Sequence, residues 1–139
     1  MIRPVVQEER TGCGIAAAAA LAGVSYARAK AVAASVGISA ADRNLWSETD
    51  SVRELLTQFG LRAARARQPF HSWASLPDCA LLAIKWHVEQ GRPYWHWVVF
   101  VREKNRSYVV DSSPTLKTPL RTDFGRMKPV WFLTVTRKR

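Results

Sequence analysis

Gly12-Cys13-Gly14, followed at once by Ile15 and the unbroken alanine run from Ala16 to Ala20, constrains the fold more than any other stretch of this chain. Alanine is the strongest helix former, so the run predicts a helix over residues 13–22, ended by Gly23. The apolar stretch from 15 to 24 is too short to span a bilayer and follows no basic leader with a cleavage site. It therefore reads as a buried core helix, and the protein as cytoplasmic with no integral membrane segment. Glycines on both sides of Cys13 read as a chain turning sharply into that helix, which sets Cys13 at its N-terminus. The unsatisfied first-turn amides and the positive end of the helix dipole favour a thiolate there.

Other residues are spaced to use such a thiolate. Gln7 lies far enough upstream for a turn to fold its amide back beside Cys13, where it and the Cys13 backbone N–H could hold a developing oxyanion. His96-Trp97-Val98-Val99-Phe100-Val101 is β-branched and aromatic, and a polar run leads from it into Tyr108-Val109-Val110-Asp111. The pair reads as a hairpin whose antiparallel return brings His96 and Asp111 towards the same end of a sheet. A base held by a carboxylate and facing a nucleophile is the arrangement of covalent catalysis. His87 is a competing base and His71 a loop residue. Cys79, after Pro77-Asp78 at the head of an apolar strand, reads as core.

The period of the pattern changes along the chain. Ser25 is a cap for a second helix running to about residue 36, with Gly37 as its end. Ser51 with Glu54 resembles a capping box opening a third helix through Leu55, Leu56 and Phe59, with Ser47 as an earlier start and Gly60 as the stop. Strands are expected over 61–67, 80–87, 96–103, 107–112 and 130–136. Helices first and strands second give an α+β fold, with the active site in the cleft between the two layers. Trp46, in the loop between the second and third helices, is a candidate wall for substrate. Trp95 and Trp97 are expected to divide, one in the core and one bordering the cleft.

Gln7 separated by five residues from Cys13-Gly14, the helix after it, a late histidine on an apolar strand and Asp111 followed by Ser112-Ser113-Pro114 resemble the papain-like cysteine peptidases. The likeness is closest to the short bacterial type related to bacteriocin-processing domains that remove double-glycine leader peptides, and it covers most of the chain. It implies Cys13 as nucleophile, His96 as general base and acid, Asp111 as its orienter and Gln7 as oxyanion donor. The chain departs from that pattern at Ile15, where many relatives have proline, and its 139 residues hold no transporter of the kind such domains usually precede.

Length and composition suit one enzyme domain over residues 1–139, with 47% hydrophobic residues including six tryptophans to fill a core. The two cysteines give no disulfide framework, and nothing calls for a metal or other cofactor. The expected activity is hydrolysis of a peptide or isopeptide bond in a peptide or protein substrate. A cell-wall amidase or an acyltransferase would use the same residues, and a catalytically idle binding domain would keep only the fold. Charge adds a separate expectation. Lys and Arg outnumber Asp and Glu by 21 to 11, and residues 71–139 hold twelve of the cations against five acids. That asymmetry suits either a solubilising surface or an anionic partner, although no nucleic-acid-binding motif is visible.

Overall fold

In the computed structural model, residues 2–43 and 48–137 are described. Trp46 and Ser47 lie outside the described residues. Helix α1 spans Cys13–Ala22 and ends on Gly23, whose φ of 72° is the left-handed conformation that glycine adopts without strain. Every residue from Cys13 to Ala20 is buried, so the alanine run forms a thin helix enclosed by its neighbours. Helix α2, Tyr26–Ser35, begins under Ser25, whose side chain accepts a hydrogen bond from the Arg28 backbone N–H at 3.1 Å.

Helix α3, Asp50–Gln58, starts two residues earlier than the capping-box reading implies. Ser51 lies inside the helix and its Oγ donates to Glu48 at 3.0 Å, while the N-cap position belongs to Thr49. Arg53 stabilises this start by reaching back to Thr49 Oγ1 at 2.9 Å and Asp50 at 3.0 Å.

Seven strands follow: β1 Leu61–Ala63, β2 Gln68–Pro69, β3 Cys79–Glu89, β4 Arg92–Glu103, β5 Arg106–Val110, β6 Leu120–Arg121 and β7 Trp131–Arg137. They form an antiparallel sheet in the order β1-β7-β3-β4-β5-β6, with β2 also paired to β7. The stretch expected as one strand over 61–67 breaks after Ala63. Strand β4 begins four residues before the predicted start. Gln90 and Gly91 have φ of 51° and 78°, the paired positive values of a tight hairpin turn, so β3 and β4 run on to that turn with no loop between His87 and His96.

Alternation along the strands sorts the core into two layers. Leu81, Ala83, Trp95, Trp97, Val99 and Leu133 meet α1, α2 and α3, while Leu82, Ile84, Val98, Phe100 and Phe132 form the opposite face under Leu76 and Met127. Trp95 and Trp97 are both inward, at 4% and 0% exposure, and both pack edge-on against Trp131. Both face the helical layer because residues two apart on a strand share a face, and the expected division comes along the strand, where Trp95 borders the cleft that His96 lines and Trp97 does not.

Candidate active site

Cys13 opens α1, and no side chain caps that helix. The cap position is Gly12, at φ −88°, so the glycines flanking Cys13 are not there to permit a left-handed turn. Their role is close approach. A Cβ on Gly12 would lie 2.1 Å from Tyr26 Oη and 3.2 Å from the Glu9 carbonyl, and one on Gly14 would lie 2.9 Å from a Val52 methyl. Glycine at both positions lets the start of α1 press against α2, α3 and the segment before it, which fixes the cysteine between them.

His96 stands on β4, with its Nε2 2.7 Å from Asp111 Oδ1. That contact makes Nε2 the protonated donor and leaves Nδ1 as the ring nitrogen for Cys13, whose side chain also hydrogen-bonds the ring. Cys13 Sγ in turn accepts the Trp97 backbone N–H at 3.5 Å. Thus β4 holds the sulfur with one residue and meets it with the side chain of the residue before.

Asp111, just past β5, has no exposed side-chain surface and spends both carboxylate oxygens. Oδ1 takes His96 and the Ser113 backbone N–H at 3.0 Å, while Oδ2 takes Arg121 Nη1 at 3.0 Å. Arg121, on β6, is gripped from behind by Asp123, with Nε at 2.9 Å from one oxygen and Nη2 at 2.7 Å from the other.

Burial opposes charge on both members of the pair, and the contacts override it. Burial disfavours the imidazolium, yet the hydrogen bonds to Asp111 and Cys13 raise His96 to about 9. Burial likewise disfavours the carboxylate, yet His96, Ser113 and Arg121 lower Asp111 to about 2. Both groups are therefore charged at neutral pH.

Gln7 is buried beside the helix start. Its Nε2 donates to the carbonyls of Glu9 at 2.9 Å and Arg10 at 3.1 Å, and its Oε1 accepts from Ser112 Oγ at 2.8 Å. Both amide protons tie down the turn that leads into Cys13, and the oxygen ties Gln7 to the residue after Asp111. The remaining candidates differ in how they relate to this centre. Trp97 presents no surface to a substrate. Trp95 lines a cleft of about 530 Å³ with Gln7, His96, Lys85, His87 and Pro114. His87 is in the cleft wall, its ring directed to the Lys85 carbonyl and Glu89 rather than to Asp111. Cys79 is raised to about 11 by burial alone and has no histidine beside it.

Arg121 is the participant that the sequence reading missed. It lies on a two-residue strand in a stretch of threonine, proline and charge without hydrophobic period, and only the pairing of β6 with β5 brings it to Asp111. The residues around Asp111 carry no signal for a guanidinium ten residues on.

No family model matches the chain, and no curated protein matches it. Among solved structures it is similar to a double glycine motif protease from an AMS/PCAT transporter, determined in complex with the leader peptide. The TM-score is 0.63 at 17% sequence identity, with 99% of this chain and 93% of that one covered. At this identity the likeness establishes the fold: helices packed on an antiparallel sheet in the papain-like α+β manner.

Proposed function

We propose that this chain is a cysteine peptidase that cleaves a peptide or isopeptide bond through a thioester on Cys13. The observation that carries the reading is the His96 ring held between Asp111, at 2.7 Å, and the Cys13 side chain at the start of α1. The leader peptide bound to the solved neighbour supports a peptide as the substrate.

In the proposed cycle the Cys13 thiolate attacks the scissile carbonyl, and the negative charge passes to the carbonyl oxygen. The Cys13 backbone N–H and the Gln7 amide receive that charge, Gln7 releasing the longer of its bonds, to Arg10, as the oxygen arrives. His96 then gives its Nδ1 proton to the departing amine, and the C–N bond breaks to leave a thioester. Water enters, loses a proton to the same nitrogen and displaces Cys13 as thiolate, which restores the charged pair. Asp111 keeps one tautomer and one ring orientation throughout.

The test is mass analysis of products after incubation with a mixed peptide library, with Cys13→Ala as control. Cleaved peptides with free carboxylates, absent from the control, support hydrolysis. Products joined to added amines in place of water would make the protein an acyltransferase, and identical profiles from parent and control would reject the peptidase reading.

A further inference from the structure

Strand β3 is irregular beside the active site. The register with β4 shifts between Ile84, opposite His96, and His87, opposite Tyr94. Within that bulge Lys85 adopts φ 53°, a left-handed conformation that a lysine rarely takes. Bulges next to active sites re-aim side chains. Here Lys85 lines the catalytic cleft and also a second hollow of about 290 Å³ on the outer face of the sheet.

That hollow combines two features. Trp86 and Val130, 46% and 45% exposed, form apolar walls over the buried side chains of Met127 and Ile84. Lys85, Arg126 and Lys128 are all exposed at its edge, and no carboxylate lines it. Among the described residues the ammonium groups of Lys85 and Lys128 form no ion pair or hydrogen bond. Arg121 also lines the hollow, but its charge is spent on Asp111 and Asp123. An exposed aromatic ringed by like charges suits a ligand carrying an apolar group flanked by anions.

The position of the hollow relative to the chemistry selects the ligand. It adjoins Arg121, hence the Asp111 and Nε2 side of His96, whereas Nδ1 faces Cys13. The general acid must touch the leaving amine. Lys85 lines both the catalytic cleft and the hollow, so a chain that leaves the cleft past His96 on the Lys85 side reaches the hollow. We infer that this hollow is a subsite for the part of the substrate on the leaving-amine side of the scissile bond, and that this part bears carboxylates around an apolar residue. The inference rests on the cysteine peptidase reading for its direction. A peptide suits the site better than nucleic acid, since one exposed indole over a small hollow offers no platform for successive bases.

The experiment uses the full chain carrying Cys13→Ala and fluorescence anisotropy of a labelled twelve-residue peptide with Asp and Glu around a central Leu. Its counterpart has Asn and Gln in their place. The acidic peptide should bind at least tenfold more tightly than its counterpart, and added salt should erase the difference. Arg126→Glu with Lys128→Glu should remove that tenfold, and Trp86→Ala should weaken binding threefold or more. Wild-type protein whose Cys13 is capped by a peptide aldehyde should bind the acidic peptide undiminished.

Equal affinity for the two peptides, or full binding by the charge-reversed protein, would overturn the inference. So would loss of binding on capping, or displacement of the peptide by a single-stranded RNA of equal charge at lower concentration. Binding is read without turnover. Failure of peptide hydrolysis would therefore sink the peptidase reading alone, and failure of this selectivity would sink the subsite alone.

Discussion

Replacing Asp111 with asparagine tests whether the buried carboxylate is held charged by its partners. Its group is lowered from 3.8 to about 2 in the folded protein. A depressed carboxylate stabilises the fold above its unfolded value and loses that stabilisation as pH falls through the folded one. The shift of just under two units corresponds to about 2 kcal/mol, present in full at pH 5 and about half gone at pH 3. His96 is raised to about 9 and so is protonated in both folded and unfolded protein across this window. Urea unfolding followed by tryptophan fluorescence at pH 5 and pH 3 gives four stabilities. The parent should lose about 1 kcal/mol more than Asp111→Asn between the two pH values, because every other carboxylate is common to both proteins. Parallel losses in the two proteins would refute the reasoning, since Asp111 would then gain nothing from His96 and Arg121.

The same charges set other outcomes. In the proposed cycle the leaving amine takes its proton from a His96 raised to about 9, so kcat/KM should fall as pH rises through about 9. A decline centred near 6.5 would mean that His96 is not the acid. Arg121→Met leaves the buried Asp111 charge short of a partner and should cost about 3 kcal/mol by urea unfolding, whereas Arg43→Met, at an exposed pair with Glu89, should cost under about 1 kcal/mol. Similar costs for the two would remove Arg121 from the account. Gly12→Ala drives a methyl into Tyr26 Oη, displaces the Tyr26 hydrogen bond to Glu9 and should destabilise by about 1–3 kcal/mol in thermal melts. An unchanged melting temperature would show that the start of α1 has room to give.

Much of the fold was legible because local chemistry and tertiary structure agree. The alanine run between Gly12 and Gly23 has no good alternative to helix, and its bounds match the expectation. The β-branched run after His96 pairs where a hairpin with residues 107–112 requires. The residues read wrongly depend on distant partners. Strands β2 and β6 have two residues each and exist through pairing with β7 and β5, so neither leaves a periodic trace. The α3 start moved because Thr49 and Asp50 are held by Arg53 from within the helix, which a capping-box pattern does not include. In the site, Cys13, His96 and Asp111 lie together, as their residue types and spacing suggest. The turn that folds Gln7 back towards Cys13 was expected, whereas the contact of Arg121 with Asp111 comes from a chain reversal that no local pattern encodes. The glycines beside Cys13 were visible, but their reason was packing against Tyr26 and Val52 rather than backbone conformation.

The most direct measurement compares the two thiols of one protein. Wild-type chain treated briefly at pH 6 with a substoichiometric peptide chloromethyl ketone, then digested and weighed, reports which sulfur reacts. Cys13 should carry the adduct while Cys79, raised to about 11 by burial, stays unmodified, and His96→Ala should slow the labelling at least a hundredfold. Equal labelling of both cysteines, or labelling of Cys13 at the same rate without His96, would contradict a nucleophile and base acting as a pair.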